Sequence, residues 1–228
     1  MIDSYKIFMS RFNISEEQFI KFGIEESIVI ESELIKIEWE NLKYKIYNGS
    51  EDTFVRGYGR DAKGTDLYMD MYKVIFGHNC FKKDGTNNSK PKALLESFTG
   101  VRRTEKSSGK YKSIRNYQVS HIFGKTKNPF AFTAPWNIVY LPKIVDPLTG
   151  HESQGDLTNK FSKEIKNHTL EKNYSIIQDF NKIMIELSPK ITKHLNSLKT
   201  VYENKYSKQV LDKFKNQVEL DFQIIEKE

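Results

Sequence analysis

The stretch QVSHIFGKTKNPFAFTAPWNIVYLPKIVDPLTGHES, Gln118–Ser153, decides how the chain reads. Residues 111–123 alternate apolar and polar side chains, with Ile114, Tyr117 and Val119 as the apolar members, the pattern of a half-buried strand. Asn137–Leu141 is short and β-branched and stops at Pro142, which reads as a second strand. The segment GKTKNPFAFTAPW between them is loop, and Trp136 reads as an apolar anchor for the second strand. Pro147 and Gly150 interrupt the chain beyond that strand, and helical periodicity resumes at Asp156 or Thr158. The arrangement sets His121 at the end of one strand, Asn137 at the start of the next, and Asp146 and His151 just beyond it.

Upstream, Ser15 followed by Glu17 and Gln18 has the form of a capping box, so a helix starts there. SIVIESELIKIEWENLKYKIY carries apolar residues at both strand and helix spacing, leaving its type open, and Asn48-Gly49 ends it with a turn. Then come a short strand, a Gly-containing turn, and a helix from Thr65 or Asp66. KKDGTNNSKPK reads as a polar loop, and KALLESF as a short helix closed at Thr99-Gly100. Downstream, Ile176, Ile177, Phe180, Ile183, Met184 and Leu187 form a helical stripe. Ser188-Pro189 is expected to cap and start a further helix, because proline is tolerated at a first helical position.

The chain has 228 residues, long enough to bury a substantial core, and 27 Phe and Tyr residues that a disordered chain would lack. Cys80 is its single cysteine, which excludes a disulfide scaffold. No run reaches the roughly 18 apolar residues a membrane span needs and no signal-like segment opens the chain, so a cytoplasmic location is expected. The net charge of +6 is unevenly spread. Residues 99–128 hold eight basic side chains against Glu105 alone, whereas residues 1–60 hold eight basic and eleven acidic ones. A local cationic segment on a near-balanced background is the electrostatic footprint of a polyanion partner. Arg102, Arg103, Arg115, Lys125 and Lys127 are its candidate nucleic-acid contacts, with Arg better suited to reading guanine edges. FVRGYGR, Phe54–Arg60, could also approach a phosphate backbone, although a tight surface turn explains it equally well. His78-Asn79-Cys80 lacks partners at metal-ligand spacing and reads as structural.

The order His121, Asn137, then Asp146 or His151, in a strand–loop–strand setting, resembles the HNH or ββα-metal endonucleases, whose hairpin and following helix surround one divalent ion. The likeness covers about 35 residues. With the readings above it gives an α+β protein: a mixed N-terminal region (1–98), a ββα-metal nuclease core (99–172) implied by the resemblance, and a helical C-terminal region (173–228), the two flanking regions lying outside the likeness. It also implies a metal-dependent endonuclease cleaving double-stranded DNA, of the type II restriction kind, with homodimer formation in reach. Carried over residue by residue, the resemblance makes His121 the general base. Asn137 becomes the residue that pins the hairpin loop and, in some members, a metal ligand. Asp146 and His151 compete for the third, metal-binding position. Mg²⁺ is the expected ion, with Mn²⁺ able to substitute. One departure stands out: the residue before the base is usually a metal-binding Asp or His, and here it is Ser120. That departure keeps open a non-catalytic nucleic-acid-binding protein, beside a non-specific DNase or RNase.

Overall fold

A computed structural model describes residues 2–57, 65–103, 109–150 and 152–228. Helix α1, Ser4–Phe12, starts where the Asp3 carboxylate accepts the N–H groups of Tyr5 and Lys6, at 2.9 and 3.3 Å. Helix α2, Glu16–Glu25, opens on the expected capping box: Ser15 Oγ accepts from the Gln18 N–H, and Gln18 Oε1 accepts from the Ser15 N–H. The ambiguous stretch resolves into both readings. Ile28 forms an antiparallel bridge with Tyr140, and helix α3 then runs from Ser32 to Asn48. Its buried residues Ile35, Trp39, Leu42 and Ile46 fall on one helical face, and Gly49 ends it at φ 58°.

Strand β1, Thr53–Arg56, helix α4, Thr65–Phe76, and strand β2, Phe81–Asp84, form a crossover unit with parallel strands paired Thr53↔Phe81 through Arg56↔Asp84. The start of α4 agrees with the sequence expectation, but β2 occupies what reads as polar loop. Its polarity has a cause: Lys82 is exposed at the edge, whereas Asp84 is buried and accepts from Ser89 Oγ (2.6 Å) and the N–H groups of Lys90 (2.7 Å) and Thr86 (3.0 Å). Those bonds hold the carboxyl below the usual carboxylate range against the opposing effect of burial. Helix α5, Ser89–Thr99, comes next, and Gly100 ends it at φ 68°. His78 stacks on Phe81 and its Nε2 lies 2.8 Å from the Ile46 carbonyl, consistent with a structural role for that histidine.

Strands β3, Val101–Arg102, and β4, Lys112–Ser113, make a two-residue parallel pair. Strand β5, Tyr117–His121, then pairs antiparallel with β6, Ile138–Pro142, in the register His121↔Ile138 and Ser120↔Val139. The connection contains a single turn of helix, α6, Pro129–Phe132. After β6 come a 3-10 turn, Asp146–Thr149, and helix α7, Asp156–Lys172. Ile122, Val139 and Leu141 of the hairpin share a core with Leu157, Phe161 and Ile165 of α7. The opposite side joins the main core, where Trp136 packs edge-on against both Trp39 and Phe180.

Helix α8 runs unbroken from Tyr174 to Tyr202, so Pro189 does not start a new helix. Pro189 lacks the N–H that would bond the Ile185 carbonyl, but both residues are exposed and water can satisfy that group. Leu187, Ile191, Leu195 and Leu198 stay buried across the proline, and their shared face keeps the helix whole. Helix α9, Lys208–Asp221, completes the α+β architecture. The main core takes residues from α3, α4, β5, β6, α8 and α9, so the divisions at 98/99 and 172/173 do not separate independent cores. Among the described residues, no helix is long and apolar enough to cross a membrane.

Candidate functional site

His121 is the last residue of β5 and is 6% exposed, with its ring stacked on Phe132 at 5.4 Å and 12°. Its Nε2 lies 2.8 Å from the Phe132 carbonyl oxygen. A carbonyl only accepts, so Nε2 carries the proton in this contact and Nδ1 is the basic position of the neutral ring. Stack and hydrogen bond together fix the imidazole in one orientation.

Asn137 explains why that carbonyl is where it is. Its Oδ1 accepts from the Phe123 N–H at 2.9 Å, and its Nδ2 donates to the carbonyls of Gly124 (3.1 Å) and Ala131 (3.0 Å). Asn137 thereby ties both ends of the hairpin loop together, and the Ala131 carbonyl it grips immediately precedes the one holding His121. The side chain is fully buried and its amide is committed to the loop. Its place is that of a residue that positions the loop.

His121 and Ser120 line a polar hollow of about 220 Å³ together with Asp146, Glu152 and Arg56. Asp146 comes from the first position of the 3-10 turn, Glu152 from the segment before α7, and Arg56 from the end of β1. Of the two candidates for the third position, Asp146 lines the same hollow as His121, and His151 lies outside the described residues. Among the described residues no three His, Cys, Asp or Glu side chains converge as a metal-binding group. Two carboxylates in one polar hollow nevertheless fit a hard, hydrated cation, since Mg²⁺ is commonly held by one or two carboxylates with water and substrate phosphate completing its shell.

The cationic segment divides. Lys110, Lys112 and Arg115 are exposed, and Arg103 is half-buried. Arg102 donates from Nε to Glu96 at 3.0 Å and lies over the Tyr111 ring at 4.2 Å, so its charge is already paired. Lys125 and Lys127 are half-buried, and both ammonium groups are engaged by backbone carbonyls. Lys125 Nζ donates to the Leu220 carbonyl at 2.8 Å, and Lys127 Nζ donates to the carbonyls of Arg56 (2.9 Å) and Gly57. Desolvation pulls both ammonium groups down to about 8, against the partial opposition of Asp221. Asp221 is itself buried at the end of α9, where it accepts from Tyr68 Oη (3.0 Å) and Gln217 Nε2 (3.1 Å). Burial raises its carboxyl above the usual range. Asn128 Nδ2 donates to the Asp221 carbonyl at 3.0 Å, so the end of α9 is bolted to the hairpin loop.

Two members of the hollow are not among the sequence candidates. Glu152 directly follows His151, and only the histidine matches the motif. Arg56 belongs to FVRGYGR, whose composition suits a phosphate contact and a surface turn equally. No solved structure matches the chain. A Pasteurella multocida (strain Pm70) protein described as "Uncharacterized protein PM1201" is 43% identical over 225 residues, spanning 99% of this chain and 98% of that protein. The family model described as "Uncharacterised protein PM1201" matches residues 30–227, a span that includes the hairpin, the hollow and the α9 contact. The chain belongs to the PM1201 family.

Proposed function

We propose that the chain is a divalent-metal-dependent endonuclease that hydrolyses phosphodiester bonds in double-stranded DNA, with His121 as the general base. The observation that carries this reading is an imidazole fixed by a backbone carbonyl at the end of a hairpin strand, lining a polar hollow with two carboxylates. His121 holds the geometry of a base: Nε2 is tied to Phe132, and Nδ1 takes the proton of an attacking water. Asn137 keeps that geometry by holding the loop on both sides. Asp146 and Glu152 would hold the cation, with Ser120 too weak a donor to replace a carboxylate. The ion, when bound, supplies charge to absorb the negative charge developing on phosphate and leaving oxygen. A positioned general base contributes on the order of 10²–10⁴-fold.

The test is plasmid cleavage with Mg²⁺ or Mn²⁺, with and without chelator. His121→Gln is the informative variant, because its amide can still donate to the Phe132 carbonyl but has no basic nitrogen. Ion-dependent nicking that falls about 100-fold or more in the variant is expected. Cleavage by His121→Gln at the wild-type rate would remove His121 from the chemistry. DNA binding without nicking by either ion would favour the non-catalytic binder, and a smear or RNA degradation would favour a non-specific nuclease.

A further inference from the structure

We propose that Arg56 is the residue that grips a phosphate of the substrate in the hollow that His121 lines. This rests on the nuclease reading for its substrate and on the hollow itself for its site. Arg56 is exposed, lines the same hollow as His121, and makes no side-chain hydrogen bond or ion pair among the described residues, although two carboxylates line that hollow too.

Its main chain, by contrast, is held from several directions. Arg56 pairs with Asp84 across the β1–β2 ladder, and its N–H donates to the Thr126 carbonyl at 2.9 Å. Its own carbonyl, and that of Gly57, accept from the Lys127 ammonium. Gly57 allows this close fit, because a Cβ there would collide with the Asp84 carbonyl oxygen. Among the described residues its guanidinium is uncommitted while the backbone that carries it is fixed, so the side chain springs from a defined point at the hollow. Lys127 supports the same assignment. Its ammonium is spent on the carbonyls of Arg56 and Gly57, which fixes the backbone that carries the Arg56 side chain.

The ligand class comes from the chemistry. A phosphodiester entering a hollow lined by Asp146 and Glu152 meets like charge, and a guanidinium offsets it while offering two parallel donors to the phosphate oxygens. A lysine would supply the charge without the fork. The arginine comes from β1, far in sequence from the hairpin, so the N-terminal region contributes directly to substrate binding rather than serving only as scaffold.

The experiment compares full-length wild type with Arg56→Gln and Arg56→Lys, all checked for equal melting temperature. It measures Mg²⁺-dependent plasmid cleavage and, without metal, calorimetric binding of inorganic phosphate. If wild type cleaves, Arg56→Gln should lower kcat/KM by about 10²-fold, with Arg56→Lys recovering part of the loss. Cleavage by Arg56→Gln within twofold of wild type overturns the proposal. If wild type does not cleave but binds phosphate and Arg56→Gln does not, the anion site stands and the nuclease reading falls. If neither cleavage nor an Arg56-dependent difference in phosphate binding is seen, both fall.

Discussion

Asn137→Ala is the sharpest test of how the hairpin loop is held. The substitution strands the Phe123 N–H and the Gly124 carbonyl beside a fully buried position, and takes one donor from the Ala131 carbonyl, which keeps the backbone N–H of Ala134 at 3.3 Å. An unsatisfied buried group costs about 1–3 kcal/mol, and half-buried Phe123 and Gly124 belong at the low end of that range. The expected loss is therefore about 2–3 kcal/mol, which for a chain of this size lowers Tm by roughly 4–12 °C. Thermal unfolding followed by circular dichroism reads this directly. Asn137→Asp sharpens the test. Aspartate keeps an acceptor for the Phe123 N–H but turns an oxygen toward two carbonyl oxygens and buries a charge, so it should be at least as damaging as alanine. A Tm within 2 °C of wild type for Asn137→Ala, or an aspartate variant clearly milder than alanine, would show that the three bonds do not hold the loop.

Two further outcomes are expected from the structure. Lys125 and Lys127 hold protons more weakly when folded, at about 8, than in the unfolded chain, where lysine titrates near 10.4. Between those values the unfolded state binds more protons, so stability should rise with pH across that window and the gain should be lost as pH falls through 8. Urea unfolding at pH 7.5 to 9.5, below the range where unfolded tyrosines ionise, should show the rise in wild type, and a Lys125→Met, Lys127→Met double variant should flatten it; an equal rise in both proteins would count against buried ammonium groups. Pro189→Ala should restore a backbone donor for the Ile185 carbonyl in the exposed middle of α8, raising stability by about 1–2 kcal/mol after the unfolded-state cost; a lower Tm in that variant would contradict a continuous helix through this position.

Much of the site's frame is legible in the sequence because its signals are local. The Ser15–Gln18 cap, the alternation before His121 and the β-branched run before Pro142 each need only neighbours to be recognised. Asn137 follows Pro135-Trp136 and looks like a turn residue by itself; its three bonds to Phe123, Gly124 and Ala131 are a structural reason for an asparagine there. What escapes local reading depends on distant partners. Strand β2 looks polar because one of its buried residues is Asp84, satisfied by the loop beyond it. Lys125 and Lys127 look like an exposed cationic pair because nothing nearby in sequence reveals that β1 and the end of α9 will meet their ammonium groups. Pro189 looks like a boundary because the stripe that carries α8 across it is apolar on only one face.

The bond between Asn128 and the Asp221 carbonyl spans 93 positions of the chain. At ribosomal rates of roughly 5–20 residues per second, the hairpin loop emerges about 5–20 s before the residue that anchors it is even synthesised. During that interval the hairpin loop lacks this anchor, whatever local order the two strands attain. The last helix to be made is thus the one that closes the loop between the two hairpin strands onto the main core.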